Sequence, residues 1–401
     1  MTSRGSLHWM VPGPAQPPLD LGEEYGAWLG SADVGAEEFA RELAECHGLV
    51  AEELGAHAEG TTVALLSGEA MLGLWAALRN AITPGRSRVL CLATGLFGGG
   101  FAEMAEEIGA ASVSCEPAEG WREARWDSAQ WRDPSESARR LAKRVAEERP
   151  DVVTLVHCET PCGTVLSNAA MEEIGGACDA VGAVLIVDFV SSAFAMEINV
   201  DKWRIDFGIA GSQKVLGMLP DLTILTISRK GWQAVDATRC VGYDSLLRWP
   251  RTLSAPLLFP YTPNWNAVRA LLRVLNHHRS LGGPSELRSR HRIAAAHARS
   301  RLQQLGLQLY ATCPESYSDT VTACIFPEPE EGGFNWAEVA TALRLKHGVV
   351  IGGNYGVLSG KVFRIGHMGL QQASEAAVEQ VIVALEDVLS CCWSRREEEK
   401  E

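Results

Sequence analysis

From Thr62 to Ile227 the chain repeats one pattern: a short apolar run, then a longer stretch with helical periodicity. Thr62–Leu66 precedes a helix predicted over Ala70–Ile82, and Val89–Ala93 precedes one over Phe101–Ile108. The charged stretch Ser135–Glu148 leads into the run Val152–His157, and Met171–Ala180 leads into Val184–Val187. Apolar runs this short are strands buried on both faces, and the amphipathic stretches between them are the helices that cover those faces. The expected fold is α/β: a mostly parallel sheet flanked by helices. Ligands of such sheets sit beyond the carboxyl ends of the strands, so the residues that end each run come first.

Two of those ends carry matched chemistry. Leu185-Ile186-Val187 delivers Asp188, and Phe207-Gly208-Ile209-Ala210 leads into Gly211-Ser212-Gln213-Lys214. A carboxylate and a lysine on neighbouring strand ends suit pyridoxal 5′-phosphate (PLP). That cofactor needs an amine for its aldehyde and an anion to keep its ring nitrogen protonated.

Other segments offer it a seat. Ser67-Gly68-Glu69-Ala70 lies at a strand-to-helix junction, where backbone N–H groups and the helix dipole favour a phosphate. Taken alone, an ordinary cap by Ser67 or Glu69 is the simpler reading. Thr94–Gly100 is a glycine-rich loop without dinucleotide spacing. It either holds Phe97 flat against a planar ring or merely turns. In His157-Cys158-Glu159-Thr160-Pro161-Cys162-Gly163, Thr160 is placed to hydrogen-bond a ring hydroxyl, while Glu159 reads as structural. A nucleophile–base pair of Cys158 and His157 is badly placed, because adjacent strand residues face opposite ways. Arg364, alone in the apolar Val362–Ile365, suits bidentate capture of a substrate carboxylate; an internal ion pair is the alternative. For His367 a packed loop histidine is the better reading.

The chain has 401 residues, enough for a large unit and a smaller one, each with its own core. The boundaries expected are an extended arm over 1–20, a large cofactor-binding domain over 21–280, a small C-terminal α/β domain over 281–393 and a charged tail over 394–401. Pro12, Gly13, Pro14, Pro17 and Pro18 set the arm. The acidic Pro327–Gly333 reads as an exposed turn. A formal net charge of −14 excludes a general nucleic-acid surface, which needs clustered Lys and Arg. No apolar run approaches the ~18 residues needed to span a bilayer, and the N-terminus lacks the order of a secretory leader. A cytoplasmic address is expected. The 11 cysteines show no metal-ligand spacing, Cys158 and Cys162 included, so no metal site is expected.

Several blocks, in order, resemble the class V aminotransferases of PLP fold type I: Val187–Ser192, Trp203–Asp206, Gly211–Lys214 and Phe363–Gly369. Their nearest likeness is to the alanine–glyoxylate and serine–glyoxylate aminotransferases. Met10-Val11-Pro12-Gly13-Pro14 is similar to that family's N-terminal arm, and the resemblance runs from about residue 10 to 390. It implies PLP as cofactor, with Lys214 as the Schiff-base lysine and proton shuttle and Asp188 on the pyridine nitrogen. It further implies Phe97 stacked on the ring, Thr160 at the ring oxygen, and Gly68, Glu69, Ala70 and Gln213 around the phosphate. Arg364 would hold the substrate carboxylate. Thr262 would reach the phosphate of a neighbouring subunit, which implies a homodimer sharing its sites. The activity implied is ping-pong transfer of an amino group from a small amino acid, such as alanine or serine, to a 2-oxo acid such as glyoxylate or pyruvate.

The chain departs from the family pattern at Glu69, where a small hydroxyl residue is usual, at Pro220-Asp221, at Asp33–Ala36 and at Ala193-Phe194. An acid at 69 repels phosphate unless it points away. Two rival readings stay open: a PLP-dependent lyase or desulfurase-like enzyme, for which Cys313 and Cys324 are the only cysteines of the smaller unit before the last helix and neither sits in an obvious Gly/Ser-rich loop, and a non-catalytic binding protein on the same fold.

Overall fold

Seven strands form the central sheet, in the order β2-β10-β9-β8-β5-β3-β4. The chain first supplies β1 (His8–Met10), then β2 (Thr62–Ser67), β3 (Arg88–Leu92), β4 (Ser112–Glu116) and β5 (Val152–Val156). The hairpin β6 (Cys158–Glu159) and β7 (Thr164–Val165) follows, and then β8 (Val184–Asp188), β9 (Phe207–Gly211) and β10 (Leu222–Ile227). The computed structural model describes residues 7–32, 36–118, 125, 127–253, 258–327 and 335–398, with only the backbone of residues 36 and 391–398. Asp33, Val34 and Gly35 and most of the acidic Pro327–Gly333 lie outside the described residues.

The sheet is parallel except at β10, which runs antiparallel to both β9 and β2. Side-chain alternation sorts the strand residues to two faces. Val153 and Leu155 of β5 and Leu185 and Val187 of β8 enter one apolar layer, whereas Val152, Val156, Val184 and Ile186 enter the other. Helices Ala36–Leu54, Ser135–Glu148, Asn168–Val181 and Trp265–Ser280 contribute to the first layer, and Ala70–Ala81 and Leu96–Ile108 to the second. This is the mixed α/β architecture expected. Because β10 turns back beside β9, the residues between them, Lys214 included, cap the carboxyl end of the sheet.

Past residue 280 the helix Gly283–Gln304 shares one apolar core with β11 (Val321–Ile325), β12 (Val349–Ile351), β13 (Val362–Gly366) and the helices Trp336–His347 and Glu375–Glu398. The face predicted for the last helix, with Val378, Val381, Ile382, Leu385 and Leu389, is fully buried, and Ser374 Oγ accepts the Ala377 N–H as its cap. This helix continues through Glu398, into the stretch expected as a charged tail. Residues 8–10 of the arm are not merely extended: β1 pairs in parallel with β12, and Met10 is buried in the small unit's core. Among the described residues no helix is long and apolar enough to cross a membrane.

Candidate active site

Asp188 ends β8 and is 8% exposed. Its Oδ1 accepts the Val190 N–H at 2.8 Å, and its other oxygen has no hydrogen-bond partner among the described residues. Burial pushes this carboxyl up to about 6, opposed by the Val190 N–H and by Lys214. Lys214 lies just beyond the adjacent strand β9, and burial depresses its ammonium while Asp188 sustains it. The two groups predicted to work as a pair are therefore electrostatically coupled neighbours.

Two further chain segments close on Lys214. Its Nζ donates to the Pro12 carbonyl at 2.9 Å, so the N-terminal arm lies across the lysine. Gly13 has φ +90°, and a Cβ there would stand 2.6 Å from Lys214 Cδ and 3.0 Å from Nζ. The arm is pinned on both sides: the Ala15 N–H donates to Gln213 O at 2.9 Å, and Gln372 Nε2 donates to Trp9 O at 2.6 Å. The sequence marked the arm as extended but gave it no role at the lysine; the Pro-Gly-Pro at 12–14 was the available signal.

The second segment carries Arg364, on β13 and 4% exposed. Its Nε donates to Gly353 O at 2.7 Å, and the guanidinium carbon lies 4.7 Å from the Tyr355 ring centroid. No carboxylate pairs with it among the described residues, so the internal ion pair weighed above does not form. The Nε edge is thus held by backbone, and the terminal nitrogens make no hydrogen bond to another described residue. Its charge is felt at both Lys214 and Cys162, which places it at the same site.

Phe97 is not in a loop. The helix starts at Leu96, five residues earlier than expected, because Glu159 caps it: Glu159 Oε1 accepts the Gly98 N–H at 2.6 Å and Oε2 the Phe97 N–H at 3.2 Å. Glu159 is 2% exposed and burial pushes it up to about 7. Its structural role was expected, but not that it would cap the helix carrying Phe97, a residue 40% exposed. Thr160 is buried and its hydroxyl bonds no described residue. His157 Nδ1 bonds Ser192 Oγ, and Cys158 Sγ bonds Ser318 Oγ. Burial lowers the histidine to about 4 and raises the thiol to about 11, so they are no nucleophile–base pair. His367 is buried against Thr322 and Asp319, a packed histidine as read.

The junction Gly68–Ala70 opens the helix Ala70–Ala81, with Gly68 at φ +149°. Glu69 does not point away. Its Oε1 accepts the Met71 N–H at 3.0 Å as the helix cap, and its Oε2 accepts Gln213 Nε2 at 3.2 Å. Thr262 is exposed on the segment whose Asn264 N–H donates to Ser67 Oγ at 3.2 Å. Asp221 accepts the Tyr25 hydroxyl at 3.3 Å, and Ala193 and Phe194 are buried core residues. Cys324 is buried in β11, and Cys313 bonds Glu315, so neither forms part of the Lys214 cluster. No metal-binding cluster occurs among the described residues.

A pyridoxal ring fits this donor set. The unbonded oxygen of a buried carboxylate, a lysine coupled to it, an exposed phenylalanine and a buried threonine supply the groups such a ring needs. A lysine beyond a parallel sheet, a carboxylate on the next strand and an arginine from a second unit define the class of lysine-anchored PLP enzymes. The family model described as aminotransferase class-V matches residues 105–361. A pyridoxamine–pyruvate transaminase of Mesorhizobium japonicum is 32% identical over 308 residues, 76% of this chain and 73% of that protein. A serine–glyoxylate aminotransferase of Methylorubrum extorquens is 30% identical, covering 74% and 71% of the two chains. The crystal structure of a pyridoxamine–pyruvate aminotransferase from Mesorhizobium loti superposes with a TM-score of 0.84 at 25% identity, covering 98% of this chain and 94% of that one. The chain belongs to the class V aminotransferases, a family of PLP-dependent transaminases.

Proposed function

We propose that this site transfers an amino group to a small 2-oxo acid such as pyruvate or glyoxylate, with Lys214 and Asp188 as its catalytic residues. The observation that carries the reading is the pairing of a coupled Lys214–Asp188 couple with an arginine that no carboxylate neutralises. Asp188 would hold a proton on the ring nitrogen, Phe97 would cover one ring face and Thr160 would bond the ring oxygen. When bound, the cofactor supplies an aldehyde and an electron-withdrawing ring. Lys214 Nζ, its ammonium depressed by burial, gives up a proton readily and carries it between the substrate Cα and C4′ as general base and acid. The Arg364 fork would bind the substrate carboxylate at both oxygens and so orient Cα toward Lys214. The arm over Pro12 and Gly13 shields the lysine from water. Gly68, Ala70 and Gln213 would line the far end of the site beside Glu69.

Names of relatives that act on pyruvate and glyoxylate support a small oxo-acid acceptor. We further infer a homodimer in the cytoplasm, with Thr262 reaching the neighbouring subunit's site; its exposure beside Ser67 supports this. The test is the visible spectrum of purified protein as single amines are added without an oxo acid. Conversion of the lysine-bound band to an amine form, reversed by pyruvate or glyoxylate, supports the reading. Release of sulfide or ammonia in place of that reversal would overturn it in favour of a lyase.

A further inference from the structure

Glu69 stands where the resemblance places a cofactor phosphate. A phosphate cradle at a helix start works by leaving backbone N–H groups free and aiming them at an anion. Here three of those groups are already engaged. The Met71 N–H is held by the Glu69 carboxylate, the Leu72 N–H by the Glu69 carbonyl at 2.9 Å, and the Gly68 N–H by the Asp221 carbonyl at 3.0 Å. The second Glu69 oxygen accepts Gln213 Nε2, so one carboxylate bridges the helix and the lysine loop. No lysine or arginine lies within ion-pair distance of it among the described residues. The chain thus supplies its own anion at this end.

A buried acceptor is also open there. Gln213 is 7% exposed, and its Oε1 is buried without a hydrogen-bond partner. An ionised Glu69 only accepts. A phosphate dianion also brings only acceptors and like charge, whereas a hydroxymethyl group brings a donor.

We propose that this site takes the unphosphorylated vitamers pyridoxamine and pyridoxal, through their 5′-hydroxymethyl group, in preference to the phosphate esters, and turns pyridoxamine over as an amino donor. The proposal rests on the transaminase reading above and deepens it. In the net reaction the C4′ amine carbon of pyridoxamine is oxidised to the aldehyde and the carbonyl carbon of the 2-oxo acid is reduced to the amine-bearing carbon. Nitrogen and two electrons pass one way, oxygen returns the other way through water, and Lys214 Nζ carries the proton between C4′ and Cα.

The test titrates the protein, freed of cofactor, separately with pyridoxal and with PLP, following the visible absorbance of the vitamer joined to Lys214. The expected Kd for pyridoxal is at least tenfold lower than that for PLP. Glu69→Ser keeps a side-chain cap for the helix and is expected to shift the ratio at least tenfold toward PLP. Pyridoxamine mixed with pyruvate or glyoxylate is expected to give pyridoxal and the amino acid in equal amounts. Equal or tighter binding of PLP to the unaltered protein would overturn the proposal. So would turnover of an amino acid on the PLP-loaded protein with none of pyridoxamine, a result that leaves the transaminase reading standing. Absence of any adduct at Lys214 with either vitamer would instead overturn that reading.

Discussion

Glu159 offers a quantitative check on how the helix that carries Phe97 is held. Its carboxyl is buried under two backbone N–H groups, and burial raises it from an ordinary 4.5 to about 7. Between those values the folded chain binds a proton that the unfolded chain does not. Stability therefore falls as pH rises through that window, and the loss is complete above about 7. At about 1.4 kcal/mol per pH unit, the cost reaches about 3 kcal/mol. Glu159→Gln removes the titration while keeping one acceptor for the Gly98 N–H. At pH 5 the wild type, neutral at this position, is expected to be the more stable by about 1–2 kcal/mol, because the variant opposes an amide donor to the Phe97 N–H. By pH 8 that advantage shrinks or reverses, a change of about 2–3 kcal/mol in the difference. Denaturant unfolding of both proteins at the two pH values measures it, and the subtraction removes titrating groups that do not interact with Glu159. A difference that stays constant, or grows in favour of the wild type toward pH 8, refutes the argument.

Other expectations follow from the same geometry. Arg364→Lys exchanges a planar fork for a point charge, and should raise KM for the oxo acid about tenfold to hundredfold while changing kcat much less; steady-state kinetics at varied acceptor concentration reads it. Gly366→Ala would drive a Cβ into the Val11 carbonyl, where the arm crosses β13. Overpacking of this kind costs about 1–3 kcal/mol, and the arm, displaced from Lys214, should become cleavable by limited proteolysis before the rest of the chain.

Much of this was legible because it depends on local pattern. Runs such as Leu185–Val187 are buried on both faces, and the paired Asp188 and Lys214 follow from where such runs end. The antiparallel β10 was not legible, since Leu222–Ile227 is as apolar as its parallel neighbours and direction is set by the short return after Lys214. Nor was the early start of the Phe97 helix: Gly98, Gly99 and Gly100 argue locally against it, and it is Glu159, 62 residues from Phe97, that caps it. The arm's place over Lys214 and the aim of Glu69 are likewise long-range facts. One depends on Gly13 meeting Lys214, the other on Gln213 reaching back to residue 69.

The account's central claim is that Lys214 is the amine that holds the cofactor aldehyde. Borohydride reduction of protein saturated with pyridoxal or PLP, followed by peptide mass mapping, tests it most directly. A single pyridoxyl group on the peptide containing Lys214, lost in Lys214→Ala, is the predicted result. Stoichiometric labelling elsewhere, or an equal yield in Lys214→Ala, would contradict it.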